Sequence, residues 1–336
     1  VGDGYTQNDL PTYTNDVANA VSGIFGEFPI DAYASFFNVH RVDVISNESG
    51  VDNDPNLGVL KDTALDMGFW CAGIPQLLCV DVSKALSAAL NAPDADQTLA
   101  VANSSMYGGA GYNSTDLATF ASANGASLEV ALHEFGHSMA DLGDEYDYGD
   151  GATYTGPEVI QPNVSIYDAT NMASLQAKWH LWLPDSNVDA FEGAGYYQYG
   201  LYRPTVNSKM RSLGQPFEQV NTEQFILNFY KTVSPIDAAT PPGTYGPKMK
   251  LTVTPVQPAT HSLDIQWFID GNPIAGATGT TLDVSTIQLS KWKSIISVEV
   301  TDNTSWVRDE AMRSQLMSET RNWTILKAES NSKKAN

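Results

Sequence analysis

The sequence predicts an α+β domain over residues 1–233, a linker over 234–248 and an all-β sandwich over 249–328. Three observations predict this division. The first part mixes helical apolar spacing, seen best at Leu128, Leu132, Phe135, Met139 and Leu142, with short strand-like runs. Between Ser234 and Lys248 the chain places Pro235, Pro241, Pro242, Gly243, Gly246 and Pro247, a composition that interrupts regular structure. Beyond it the apolar residues alternate with period two, the signature of half-buried strands.

At 336 residues the chain is long enough for one large or two ordinary cores, and 42% apolar residues mark it as globular. No apolar run approaches the roughly eighteen residues of a membrane span. Lys+Arg 18 against Asp+Glu 39 give a formal charge of −21. Such a surface repels phosphate backbones and anionic lipid, which argues against nucleic-acid and membrane-surface roles. It fits a soluble secreted protein, although charge can also serve solubility alone.

In chain order, residues 9–37 read as a helix with aromatic anchors at Phe25, Phe28, Tyr33 and Phe36. Val39 to Ser46 then alternates like a strand. Val51-Asp52-Asn53-Asp54 reads as a loop whose acids either face solvent or hold calcium. Residues 81–92 form a helix, and Thr98 to Asn103 a short strand. Tyr107-Gly108-Gly109-Ala110-Gly111 is a glycine-rich run with no lysine or phosphate-loop pattern beside it.

The stretch that carries chemistry is Leu132-His133-Glu134-Phe135-Gly136-His137, continuing to Gly143-Asp144-Glu145-Tyr146. On a helix, His133 and His137 lie one turn apart on one face and can share a metal ion. Glu134 stands about 100° around the helix, beside that metal, where it can take a proton from water. The chain has 5 His, and two fall in this pentapeptide. The alternative is an amphipathic helix with two solvated histidines.

Two histidines and a water leave a tetrahedral zinc one protein ligand short. Gly143 suits the left-handed position that ends a helix, after which the chain delivers its acids near the site. Asp144 is the first choice for the third ligand, Glu145 the second and His180 the third. The lesser alternative for Asp144 and Glu145 is a solvated acidic turn, or a calcium site with Asp141, Asp147 and Asp150.

The string HEFGHSMADLGDEY resembles the signature of the IgA-peptidase family of bacterial secreted zinc metallopeptidases, which are metzincin-like zincins. Gly2-Asp3-Gly4-Tyr5, Phe36 to Val39 with Arg41-Val42-Asp43, Ser46 to Gly50, Asn103, Tyr107 to Gly111 and Lys209-Met210-Arg211 match in order, over about residues 1–230. The resemblance implies an α/β/α-like, metzincin-type catalytic domain and a zinc endopeptidase acting on polypeptides, though not that IgA is the substrate. The metzincin pattern places Gly at 140 and a ligand at 143, where this chain has Ala140 and Gly143. It implies that Met210 underlies the histidines, that Arg211 supports the cleft, and that the strand at Gly108 and Gly109 is an edge aligning the substrate backbone. Small residues there would permit close approach. It also favours a Cys71–Cys79 disulfide, as does an even, short-range pair in a secreted chain. Relatives carry more chain before Gly2, so an export signal and an N-terminal segment are expected upstream of Val1; a start codon directly before Val1 would refute this.

Residues 147–205 are rich in Gly, Tyr and Trp, and Gly195 to Tyr202 could line a cleft or pack as a core. Residues 218–231 read as a closing helix. In the last part, Leu251 to Thr254, Ser262 to Ile269, Thr281 to Val284 and Ser294 to Thr301 read as strands. Ile265-Gln266-Trp267-Phe268-Ile269 is similar to the central strand of an immunoglobulin-like domain, with Trp267 in the core and no inter-sheet disulfide. The expected reaction is metal-assisted peptide hydrolysis, with Glu134 taking the proton of the attacking water and Tyr146 a minor candidate for oxyanion donor. Its rivals are a zinc hydrolase acting on non-peptides, and a latent or non-catalytic zinc protein whose sandwich binds a surface or substrate.

Overall fold

The computed structural model describes residues 1–327. The chain forms two compact units, one of Val1–Asp31 with Phe37–Asn228, the other of Ala32–Phe36 with the chain from Phe229 onward.

The first unit is built on a four-stranded sheet. Its strands are β1 (Gly2–Asp3), β2 (Thr98–Ala102), β3 (Gly109–Tyr112) and β4 (Leu117–Ala121), in the order β1-β2-β4-β3. Residues of β2 and β4 are buried almost without alternation, as expected of strands covered on both faces. Both pair parallel to their neighbours in the series β1-β2-β4, and β3 closes the edge antiparallel to β4. The helices are α1 (Leu10–Ile24), α2 (Val82–Ala89), α3 (Ser127–Ala140), α4 (Ala169–Leu175) and α5 (Glu218–Thr232), whose residues from Phe229 belong to the second unit. A hairpin of β5 (Phe191–Ala194) and β6 (Tyr197–Arg203) lies outside the main sheet.

Two early expectations change here. The helix expected over 9–37 stops at Ile24, where Gly26 and Pro29 end its hydrogen-bond run, and Asp31–Phe36 forms a separate 3-10 segment. Val39 to Ser46 alternates in exposure but forms no ladder. It is tied singly instead, by Ser46 N–H to the Tyr5 carbonyl and by the Tyr13 hydroxyl to the Val42 carbonyl. Alternation needs a neighbouring strand before it becomes a sheet. The family-like segments at 2–5 and 46–50 do meet. Buried Asp3 accepts from the Ser46 hydroxyl and from the backbone N–H groups of Leu65 and Met67.

The second unit contains β7 (Ile236–Ala239), β8 (Thr244–Tyr245), β9 (Lys250–Pro255), β10 (Asp264–Ile269), β11 (Asn272–Pro273), β12 (Thr281–Asp283), β13 (Lys293–Thr301), α6 (Glu310–Leu316) and β14 (Ser318–Leu326). One sheet runs β11-β10-β13-β14-β8 and the other β12-β9-β7. Inward residues of both, among them Leu251, Val253, Trp267, Val298 and Trp323, share one core. Trp267 is fully buried, stacks on Trp323 at 5.6 Å, and donates its indole N–H to the Gly279 carbonyl. The stretch 234–248 is not a free tether: β7 pairs with β9, and β8 with β14. Its prolines and glycines mark the turns around two very short strands. Helix α6, absent from the period-two reading, starts at Asp309, whose carboxylate accepts from the N–H groups of Ala311 and Met312. The expected boundary at residue 328 lies outside the described residues. Among the described residues no helix is long and apolar enough to cross a membrane.

Candidate metal centre

Helix α3 carries the histidines because its two faces are chemically separate. Leu132, Phe135 and Leu142 are buried as the periodicity requires, while Leu128 is more than one-third exposed and lies against Gly23 of α1. The opposite side of α3 packs against β3 and β4. This approach is possible because β3 is glycine-rich. A methyl on Gly109 would come within 2.9 Å of the Glu134 side chain, and one on Gly111 within 2.5 Å of the His137 Cβ.

Both imidazoles are oriented by main-chain carbonyls. His133 Nδ1 lies 3.0 Å from the Lys209 carbonyl oxygen, and His137 Nδ1 lies 2.7 Å from that of Leu142. A carbonyl only accepts, so each Nδ1 is the donor, and in the neutral ring each Nε2 presents a lone pair. The two Nε2 atoms are 3.2 Å apart. Asp144 Oδ1 faces them at 3.0 and 3.4 Å. Three acceptors therefore converge on one point, an arrangement that can hold a cation. Without a metal a proton must serve. Burial works against a charged His137, but the Asp144 carboxylate outweighs it and pushes the imidazole up to about 9. Burial likewise opposes the Asp144 anion, and the two histidines overcome this and hold it well below the usual carboxylate range.

Glu134 sits beside this group. Burial raises its pKa, partly countered by His133 and His137 and by a hydrogen bond from the Gly111 backbone. Met210 is fully buried, with its sulfur against Gly136, between the two histidines in sequence. Lys209, whose carbonyl holds His133, is anchored by its own ammonium to Glu129 at 2.6 Å and Glu27 at 3.3 Å. The Met210 carbonyl accepts from Glu145 N–H, which ties this turn to the acidic segment. Arg211 donates to the Glu145 carbonyl and pairs with Asp147 at 3.2 Å.

Several expectations are revised. The left-handed residue ending α3 is Asp141 (φ 56°), not Gly143. Gly143 is needed for space: its N–H and carbonyl both bond the Asn163 amide, and a methyl there would come within 2.9 Å of Val164. Glu145 turns away from the histidines. It is fully buried, with Oε1 accepting from Asn163 and Asn221 and Oε2 from Ser208. Among the described residues the metal-competent group is His133, His137 and Asp144, all ligand atoms within 4.8 Å; Glu145 and His180 are not in it. Nor do the acids proposed for calcium form such a group: Asp147 pairs with Arg211 and Asp150 caps a turn at Ala152.

The Cys71–Cys79 disulfide is present, and its loop bonds to the glycine edge. Gly109 N–H donates to the Gln76 carbonyl and Leu78 N–H to the Gly109 carbonyl, each at 3.3 Å. The Gly108 carbonyl accepts from Ala121. The Gly109 N–H and carbonyl and the Gly108 carbonyl are thus paired within the chain itself. Tyr196, which the sequence placed only within an aromatic cluster, donates its hydroxyl to Asp144 Oδ2.

A family model described as IgA Peptidase M64 matches residues 1–187. The chain belongs to this family. M64 peptidases are metallopeptidases, and the histidine and aspartate group lies within the matched residues. This M64 chain is thus a peptidase, and its substrate is a polypeptide. The search of curated proteins found no match.

Proposed function

We propose that this M64 peptidase is a secreted, zinc-dependent endopeptidase with Glu134 as its general base. The observation that carries the reading is the convergence of two imidazole Nε2 atoms and one carboxylate oxygen, with the Nδ1 positions already committed to carbonyls. Two nitrogens and one oxygen at this spacing suit zinc. When bound, zinc would acidify a water and polarise the scissile carbonyl.

The chain's own residues supply the rest. Lys209 and Leu142 carbonyls fix the tautomer and plane of each histidine. Glu134, its pKa raised by burial, takes the proton of the attacking water and returns it to the leaving amine. The upward shift suits a group that must hold a proton briefly and release it. The disulfide supports the export reading, since such bonds persist in oxidising compartments. The second unit, with its two sheets and central Trp267, fits an immunoglobulin-like accessory sandwich.

The test is hydrolysis of casein by the wild type and Glu134→Ala, both loaded with zinc. We expect the variant to bind zinc yet lose about 10²–10⁴-fold in rate. Equal cleavage by both proteins would remove Glu134 from the mechanism.

A further inference from the structure

The β5–β6 hairpin turns through Gly195 and Tyr196, flanked by the pair Ala194 and Tyr197. Both central residues have positive φ, 56° and 75°, as in a type I′ turn. Glycine, which has no Cβ to strain, or asparagine, whose short amide can bond locally, ordinarily fills such positions. Tyrosine at 196 is therefore a choice that the turn itself disfavours. Nor does the core demand it, since the residue is 45% exposed, with its ring stacked on the still more exposed Tyr148 at 5.7 Å. Strain of this kind persists where surrounding structure holds it for a purpose.

The surroundings point to that purpose. Gly195 N–H donates to the Asp144 carbonyl and Tyr196 N–H to the Tyr146 carbonyl, both at 2.9 Å, so the turn is laced to the acidic segment. From there the phenol reaches Asp144 Oδ2. The other oxygen of the same carboxylate faces His133 and His137. A carboxylate free to rotate about its last bond could offer either oxygen or both.

We infer that Tyr196 is a positioning residue of the metal site, whose hydroxyl fixes Oδ2 of Asp144 so that Oδ1 alone faces the two imidazoles. The inference rests on the metal reading above and adds to it a residue beyond the stretch that the family model matches. Partners of this kind behind a metal ligand are typically worth 10–100-fold in metal affinity.

The experiment is zinc affinity by chelator competition, together with the visible spectrum of the Co²⁺-substituted protein, for wild type, Tyr196→Phe, Tyr148→Phe and His133→Ala. We expect Tyr196→Phe to bind zinc about tenfold or more weakly and to alter the Co²⁺ bands. Its metal-free melting midpoint should stay at the wild-type value. Tyr148→Phe should keep both affinity and spectrum. Unchanged affinity and spectrum in Tyr196→Phe, with binding abolished in His133→Ala, would overturn the inference and leave the metal site standing. A metal-free protein destabilised by Tyr196→Phe would make the residue a structural prop and also overturn it. A wild type that takes up neither metal would sink the metal reading and this inference together.

Discussion

The two units each gather histidine, aspartate and tyrosine around a buried carboxylate, with opposite consequences. In the second unit, Asp302 Oδ2 accepts from the hydroxyls of Tyr33 and Tyr230, each at 2.8 Å. Its Oδ1 lies 2.9 Å from both His261 Nε2 and the Thr304 N–H. Burial and the nearby Asp302 raise both phenols, so they remain protonated donors. The Thr260 hydroxyl lies beside His261 Nδ1 and can donate to it, which leaves Nε2–H to donate to Asp302. The carboxylate is fully satisfied by donors. In the first unit, Asp144 has one hydroxyl on Oδ2, while Oδ1 faces two imidazoles whose Nδ1 protons are spent on carbonyls. The residue types are the same, and the direction of the hydrogen bonds separates a scaffold from a site. Where the donors are supplied, the cluster stabilises; where only acceptors meet, it waits for a cation.

The sharpest way to break this comparison is Asp302→Ala. It leaves two buried phenols and an imidazole without their acceptor, and we expect a loss of about 3 kcal/mol in urea unfolding, with zinc uptake unchanged. Zinc uptake lost along with stability would mean that the two clusters are not distinct in kind. A smaller effect should follow Glu145→Gln, which places one amide N–H₂ among the donors Asn163, Asn221 and Ser208. We expect about 1–3 kcal/mol of destabilisation by thermal or urea melts, with zinc still bound. A neutral outcome would mean that this acid is not the buried acceptor its three donors indicate.

The smallest effect is in pH. The His137 pKa in the metal-free fold, about 9, lies above the ordinary value of 6.5. A raised pKa means that the stabilisation is fully present below 6.5 and is lost as pH rises through about 9. Metal-free protein should therefore melt at lower temperature as pH goes from 6.5 to 9. The zinc-induced gain in melting temperature should grow over the same window, because the metal no longer competes with that proton. Parallel pH curves with and without zinc would contradict the shared site.

How much of this was legible in the sequence follows from range. His133, Glu134 and His137 are read from helical geometry alone, because four residues make one turn. Asp144 is close enough in sequence to be named, but its choice over Glu145 is decided by Asn163, Asn221 and Ser208, which only the fold brings in. Tyr196 lies 52 residues from Asp144 and reaches it through a hairpin, so no local spacing announces it. A tyrosine after Gly195 in a two-residue turn is the one signal that could have drawn attention to it. The lack of side chains at Gly108 and Gly109 leaves room for Gln76–Leu78 of the disulfide loop and for α3, neighbours that no local spacing announces. Period two found β9, β10, β12 and β13, whereas β7 and β8 are too short and too rich in neighbouring proline to show it.

On this reading acceptor convergence at Asp144, and not the presence of histidine beside aspartate, distinguishes the candidate metal site from the Asp302 cluster. The most direct test is the zinc content per chain, after dialysis against trace zinc, of wild type, Asp144→Ala and Asp302→Ala. We expect stoichiometric zinc in the wild type and in Asp302→Ala, and a large loss in Asp144→Ala. Zinc retained in full by Asp144→Ala, or absent from the wild type, would contradict this reading.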